Sequence, residues 1–173
     1  MDLREQIVKT IDEFYVNCIE EFREAEVKIA NDSRFRKIFQ KKDYDGNIQL
    51  LHKCRKAAIE LKFPTGDLPA GECAEKDMIQ LCQECIRRFI KLCESYVTMQ
   101  TALKGKSKGE DLPYKKYNEL YHKTQENHVS MNQALKDLDM AYAEFTEDMA
   151  GPSGKGSGEY LTYDDITRGV KGS

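Results

Sequence analysis

Met78, Cys82, Cys85, Phe89, Leu92, Tyr96, Met99 and Leu103 follow one another at alternating steps of four and three residues. That spacing lays every one of them on a single stripe of an α-helix and cannot be met by a strand, whose faces alternate every second residue. A second run, Tyr117, Tyr121, Thr124, His128, Met131, Leu135, Leu138, Tyr142, Phe145 and Met149, keeps the same stepping. At 1.5 Å per residue the helix carrying it is about 55 Å long. Stripes of this length must be buried against other helices. The fold class is therefore all-α: an elongated antiparallel helical bundle or coiled coil.

A second apolar line, Ile79, Ile86, Ile90, Cys93 and Val97, runs beside the first stripe. A face this wide suits burial between two or more helices, not a single dimer seam. Ile79, Ile86, Ile90 and Val97 are accordingly candidates for contact with a partner helix. Thr124 and His128 interrupt the last stripe with polar groups. Polar residues at such positions can specify register or a partner, or they can be satisfied inside the bundle; both readings stand at this point.

Two shorter patterns complete the helices. Ile7, Ile11, Phe14, Cys18, Phe22, Ala25 and Ile29 recur at steps of four and three. Asn31-Asp32-Ser33 offers a cap for a new turn, with Phe35, Ile38 and Phe39 beyond it, so this stretch is one long helix or two with a kink. Ile48, Leu51, Cys54, Ala58 and Leu61 share the face of another helix. Between these two, Asp43-Tyr44-Asp45-Gly46-Asn47 has turn chemistry, and Pro64 and Pro69 stop the second. Lys104 to Gly109 has the composition of a solvated loop, and Leu112-Pro113 marks a helix start. The expected helices span about residues 2–42, 47–62, 72–103 and 112–150 of one bundle domain, residues 1–150. Residues 151–173 form a Gly/Ser linker and a flexible tail with Tyr160, Tyr163, Asp164 and Asp165, a docking peptide or acidic-aromatic filler.

Composition narrows the function. Charged residues make up 33% of the chain yet balance to a net −3. Such a balance supplies no broad attraction for nucleic acid or an anionic membrane, so neither is expected as a partner. No apolar run reaches membrane-spanning length, and the mixed-charge start Asp2-Leu3-Arg4-Glu5 lacks the order of a secretory signal. A nuclear or cytoplasmic, reducing location follows as the expectation, and there the six cysteines act as small hydrophobes. Cys82-Gln83-Glu84-Cys85 has redox or zinc spacing, but both cysteines fall on the stripe, inside a helix and far from its N-terminus.

The remaining motifs fail on their own chemistry. With Gly46 at the sixth position of a calcium loop, Lys41 would occupy the first and His52 the twelfth, where carboxylates are needed. Gly105-Lys106-Ser107 lacks the strand and the earlier glycine of a phosphate loop. His52 and His122 lie beside lysines with no carboxylate set to make a base. No catalytic residue, cofactor or metal site is expected.

The order of features resembles the N-terminal region of the SP-RING SUMO ligase subunit of the SMC-type genome-maintenance complex. The residues that carry the likeness are Phe14-Tyr15-Val16-Asn17-Cys18-Ile19, Ala74-Glu75-Lys76-Asp77-Met78, Tyr114 to Leu120, and Tyr163-Asp164-Asp165-Ile166-Thr167. The resemblance implies a helical region packed along the coiled-coil arm of an SMC ATPase, in a nuclear SUMO ligase complex acting in DNA repair. That family's zinc-binding RING has no counterpart here, since His122 and His128 are the only Cys or His after Cys93. The chain would be the docking half of the ligase, an isoform, or a subunit whose RING is supplied elsewhere. A generic four-helix adaptor of a vesicle or cytoskeletal complex fits the same residues.

Overall fold

The computed structural model describes residues 1–34, 42–66 and 68–150. They form an all-helical antiparallel bundle. Residues 151–173, with the linker and tail, lie outside the described residues, as do Phe35, Ile38 and Phe39.

The first rod is α1 (Leu3–Phe14), a π-helical segment (Tyr15–Glu20) and α2 (Glu21–Arg34), joined without a break. Asp2 starts it through a capping box. Its carboxylate accepts from the Glu5 amide at 2.8 Å, and the Glu5 side chain accepts from the Asp2 amide at 2.9 Å. Helix runs through residues 31–33, so these do not cap a new turn. The π segment coincides with two successive steps of four, Phe14 to Cys18 to Phe22. Its i→i+5 bonds close a wider turn, which suits that wider spacing.

The second rod, α3 (Tyr44–Glu60), begins where the sequence suggested a free turn. Asp43 is its N-cap, accepting from the Gly46 amide at 3.0 Å. A Cβ on Gly46 would sit 2.1 Å from the capping carboxylate, so the glycine admits the cap. α4 (Ala74–Ser107) continues past the expected end, through the supposed loop. Gly109, at φ +94°, ends it in a Schellman motif: its amide donates to the Lys106 carbonyl and the Glu110 amide to that of Gly105. α5 (Tyr114–Ala150) then runs back along α4.

Side-chain pairs set the directions. Arg4 meets Glu75 at 2.6 Å and Phe22 meets Tyr96, so the first rod and α4 are parallel. Asn47 donates to Gln100 at 3.2 Å and Arg55 meets Glu94 at 2.9 Å, so α3 is antiparallel to α4. Tyr142 and His128 reach Asp12 and Glu26, so α5 is antiparallel to the first rod. α4 is the central helix, packed on α1, α3 and α5. The buried Asn47–Gln100 bond fixes the register of α3 on α4 where apolar contacts alone would allow sliding.

Phe89 lies at the centre, fully buried between Phe14 and Phe22, with ring centroids at 5.7 and 5.3 Å in edge-to-face geometry. Truncation there empties the contact between the two parallel rods. Phe89→Ala should lower the unfolding free energy by about 3–5 kcal/mol in urea titrations; a loss below about 1 kcal/mol would contradict this packing.

Candidate docking surface

The first rod and α5 meet through long polar side chains and few close backbone approaches. Tyr15 donates to Asp139, and Tyr142 donates to Asp12 at 2.6 Å. The Tyr15 and Tyr142 rings lie 6.2 Å apart. Further along, His128 Nε2 lies 2.7 Å from Glu26 Oε1, which also accepts from Tyr96 at 3.0 Å. Asn132 Nδ2 lies 3.1 Å from His128 Nδ1. Burial, and then Asp139, raise the Tyr15 phenol above its ordinary value, so it stays a donor. The Glu26 hydrogen bond outweighs desolvation and raises His128 above 6.5. Neutral His128 donates from Nε2 and accepts from Asn132; once protonated, it requires the Asn132 amide to turn its oxygen inward.

The residues that follow these bridging groups point away from the core. Val16 follows Tyr15, Val27 follows Glu26, Val129 follows His128 and Met140 follows Asp139. In antiparallel rods a one-residue step turns both helices toward the same side of their seam. On the opposite side lie Phe14, Cys18, Leu138 and Met131, all buried. Val16 and Val27 are 52% and 59% exposed, and Val129 and Met140 are both 69% exposed. Because Tyr15 meets Asp139 and Glu26 meets His128, Val16 stands level with Met140 and Val27 with Val129. The two apolar levels are three helical turns apart, about 16 Å along α5.

The residues expected to meet a partner lie elsewhere. Ile79 and Ile86 are only 8% and 9% exposed, and Ile90 and Val97 are half-buried against the same core. α3 packs along α4, and Leu61, Phe63 and Leu68 of the α3–α4 connection join that core. The second apolar line is therefore covered by the chain itself, and a partner does not reach Ile79 or Ile86 while the bundle is closed. Thr124 is buried, its hydroxyl donating to the Leu120 carbonyl at 2.8 Å, and His128 is satisfied by Glu26 and Asn132. Of the polar pair, both resolve as groups satisfied within the bundle. The four exposed apolar residues carry no periodic signal of their own; only the cross-helix bonds relate them.

Cys82 and Cys85 are fully buried in α4, with Cys18, Cys54 and Cys93 in the same core. Burial pushes the Cys18 and Cys82 thiols up to about 12 and Cys54 to about 11, and raises Cys85 and Cys93 as well. Such thiols are poor nucleophiles and poor metal ligands. Among the described residues no three of His, Cys, Asp and Glu converge as a metal ion would require, and no helix is long and apolar enough to cross a membrane. No protein family, curated protein or solved structure matches the chain.

Two measurements test this geometry. A thiol reagent should label Cys73, the half-buried cysteine, far faster than the five buried ones in the native protein; rapid labelling of Cys82 or Cys85 would contradict their placement. For His128 the raised folded value means that its bond to Glu26 stabilises fully below the unfolded value of about 6.5 and fades as pH rises through the folded value. The stability advantage of the parent protein over His128→Gln should therefore shrink as pH rises above 6.5. An advantage that grows with pH would overturn the assignment.

Proposed function

We propose that this chain is a non-catalytic helical docking subunit that receives a long partner helix or coiled coil along the seam between its first rod and α5. The observation that carries the reading is the double row of exposed apolar side chains, Val16 and Val27 facing Met140 and Val129. A helix laid along this seam would place apolar residues over both levels, 11 positions apart, as helix-in-groove recognition does. Each side chain fully covered contributes about 1.5–3 kcal/mol of apolar burial. Polar residues between the levels, such as Glu20 and Lys136, would select the partner's charge pattern. The resemblance to the SMC-arm-binding part of a SUMO ligase supplies the partner's proposed identity, an SMC coiled-coil arm, and with it a nuclear role in DNA repair.

Site-specific photo-crosslinking in cells tests the reading. A photoreactive residue at Val27, Val129 or Met140 should cross-link to a heptad-patterned segment of one partner, an SMC arm, whereas Ile59, an exposed apolar residue of α3, should not. The pair Val27→Asp and Met140→Asp should abolish the cross-links from Val129 while changing stability by no more than about 0.5 kcal/mol each. Equal cross-linking from Ile59 would reject the seam. A vesicle or cytoskeletal helix at the same sites would keep the seam and replace the partner.

A further inference from the structure

The α4–α5 hairpin concentrates charge that the total conceals. Residues 104–123 hold six lysines against three carboxylates, in a chain of net −3. Lys104 is engaged by Asp45. Lys106, Lys108, Lys115, Lys116 and Lys123 are exposed and form no ion pair among the described residues. Carboxylates gather at the far end of the bundle, where Arg4 joins the starts of α1 and α4 to the end of α5: Glu72, Asp77, Glu144, Glu147 and Asp148.

Aromatic rings occupy the flank of α5 opposite Lys116 and Lys123. Tyr114 is 79% exposed and Tyr121 43% exposed. Tyr117 and Tyr121 stack with centroids 6.5 Å apart and planes 21° from parallel. Positions 114, 117 and 121 share one helix face, so three phenol rings line up over about 10 Å. From the tip a groove of about 480 Å³ descends between α4 and α5, lined by Lys91, Ser95, Thr98, Lys123 and Asn127. Its one acid, Glu94, is engaged by Arg55.

We propose that the tip of the α4–α5 hairpin and this groove bind single-stranded nucleic acid. The lysines meet successive phosphates as the strand passes over the tip, and the tyrosine rings on the other flank of α5 supply planes on which unpaired bases stack; in the groove Lys91 and Lys123 are the groups left for the phosphates, since Ser95, Thr98 and Asn127 are hydrogen-bonded within the bundle. An anionic membrane would meet the same cations, but the tip presents no exposed aliphatic side chain to insert; Leu112 and Leu120 are half-buried. Tyr114 and Tyr121 continue the stripe of His128 at steps of seven but stand about 10 Å or more nearer the tip than the seam's first apolar level, and the lysines lie off that stripe, so the seam variants and the lysine variants test the two proposals separately.

Fluorescence anisotropy with the full chain and labelled dT and rU oligomers of roughly 15 nucleotides, a length one such surface covers, is the test. Binding to at least one oligomer is expected at low salt. With five lysines meeting phosphates, affinity should fall roughly a hundredfold between about 50 and 200 mM salt. Lys115→Glu with Lys116→Glu and Lys123→Glu should abolish binding and leave the melting temperature in place, because all three side chains are exposed. Tyr114→Ala with Tyr121→Ala should weaken binding roughly fivefold or more for each ring. Val27→Asp with Met140→Asp should leave it unchanged. Absence of binding at low salt, salt-insensitive binding, or full binding by the lysine variant would overturn the proposal. Equal affinity in the tyrosine variant would overturn the single-strand assignment, as would binding to phosphatidylserine vesicles in place of both oligomers.

Discussion

Phe89 sets the spacing of everything around it. It stands between Phe14 and Phe22, so the first rod can meet α4 only at a height where two of its turns straddle one ring. The π segment lies between those two phenylalanines. Tyr96 extends the contact by packing on Phe22 and then reaches Glu26 with its hydroxyl. One aromatic ladder thus hands the chain from a dry core to the polar seam. Edge-to-face aromatic contacts of this kind are worth about 0.5–1.5 kcal/mol each beyond the area they bury, and they are directional, which a contact among leucines is not.

The seam between the first rod and α5 follows from that placement. α5 packs closely on α4, and the first rod is held to α4 by the phenylalanines, so the gap left between them is spanned by Tyr15, Tyr142 and His128. These are long side chains with a polar tip, able to keep hydrogen bonds at a distance where shorter residues would leave a void. A tyrosine-to-carboxylate bridge also tolerates partial solvation, and the outer side of the seam is therefore free to stay open. Val16, Val27, Val129 and Met140 are exposed there for the same reason: no other helix among the described residues lies over them.

Periodicity made the helices legible and left the chemistry of their ends obscure. The stripes from Met78 to Leu103 and from Tyr117 to Met149 are long enough that their period could not be mistaken, and they place Cys82 and Cys85 in the core without any coordinates. The width of the apolar face of α4 was equally readable; what covers it was not, because α3 has only a modest apolar face and Leu61, Phe63 and Leu68 sit in a proline-broken connection. Residues 43–47 and 104–109 read as turns since Asp and Gly serve a cap, a Schellman end and a free loop alike. Glu26 and His128 lie 102 positions apart in the sequence, and no local pattern relates them. The apolar seam depends on that pairing and was invisible for the same reason.

Net charge is silent about the two ends for a different reason. It is a sum, and a sum near zero describes a uniformly mixed surface and a strongly polar one equally well. An antiparallel bundle converts position in the sequence into position along an axis: residues 104–123 fall at one end, and residues 72–77 and 144–148 at the other. Lysines and carboxylates about 20 to 36 residues apart along the chain are thereby separated by much of the bundle's length. At physiological ionic strength charges are screened beyond about 8 Å, so a visitor near the hairpin tip meets the lysines and is scarcely affected by the acids at the far end. The local field at each end, not the total, decides which partners approach. A helix along the seam and a strand at the tip would approach different levels of the bundle.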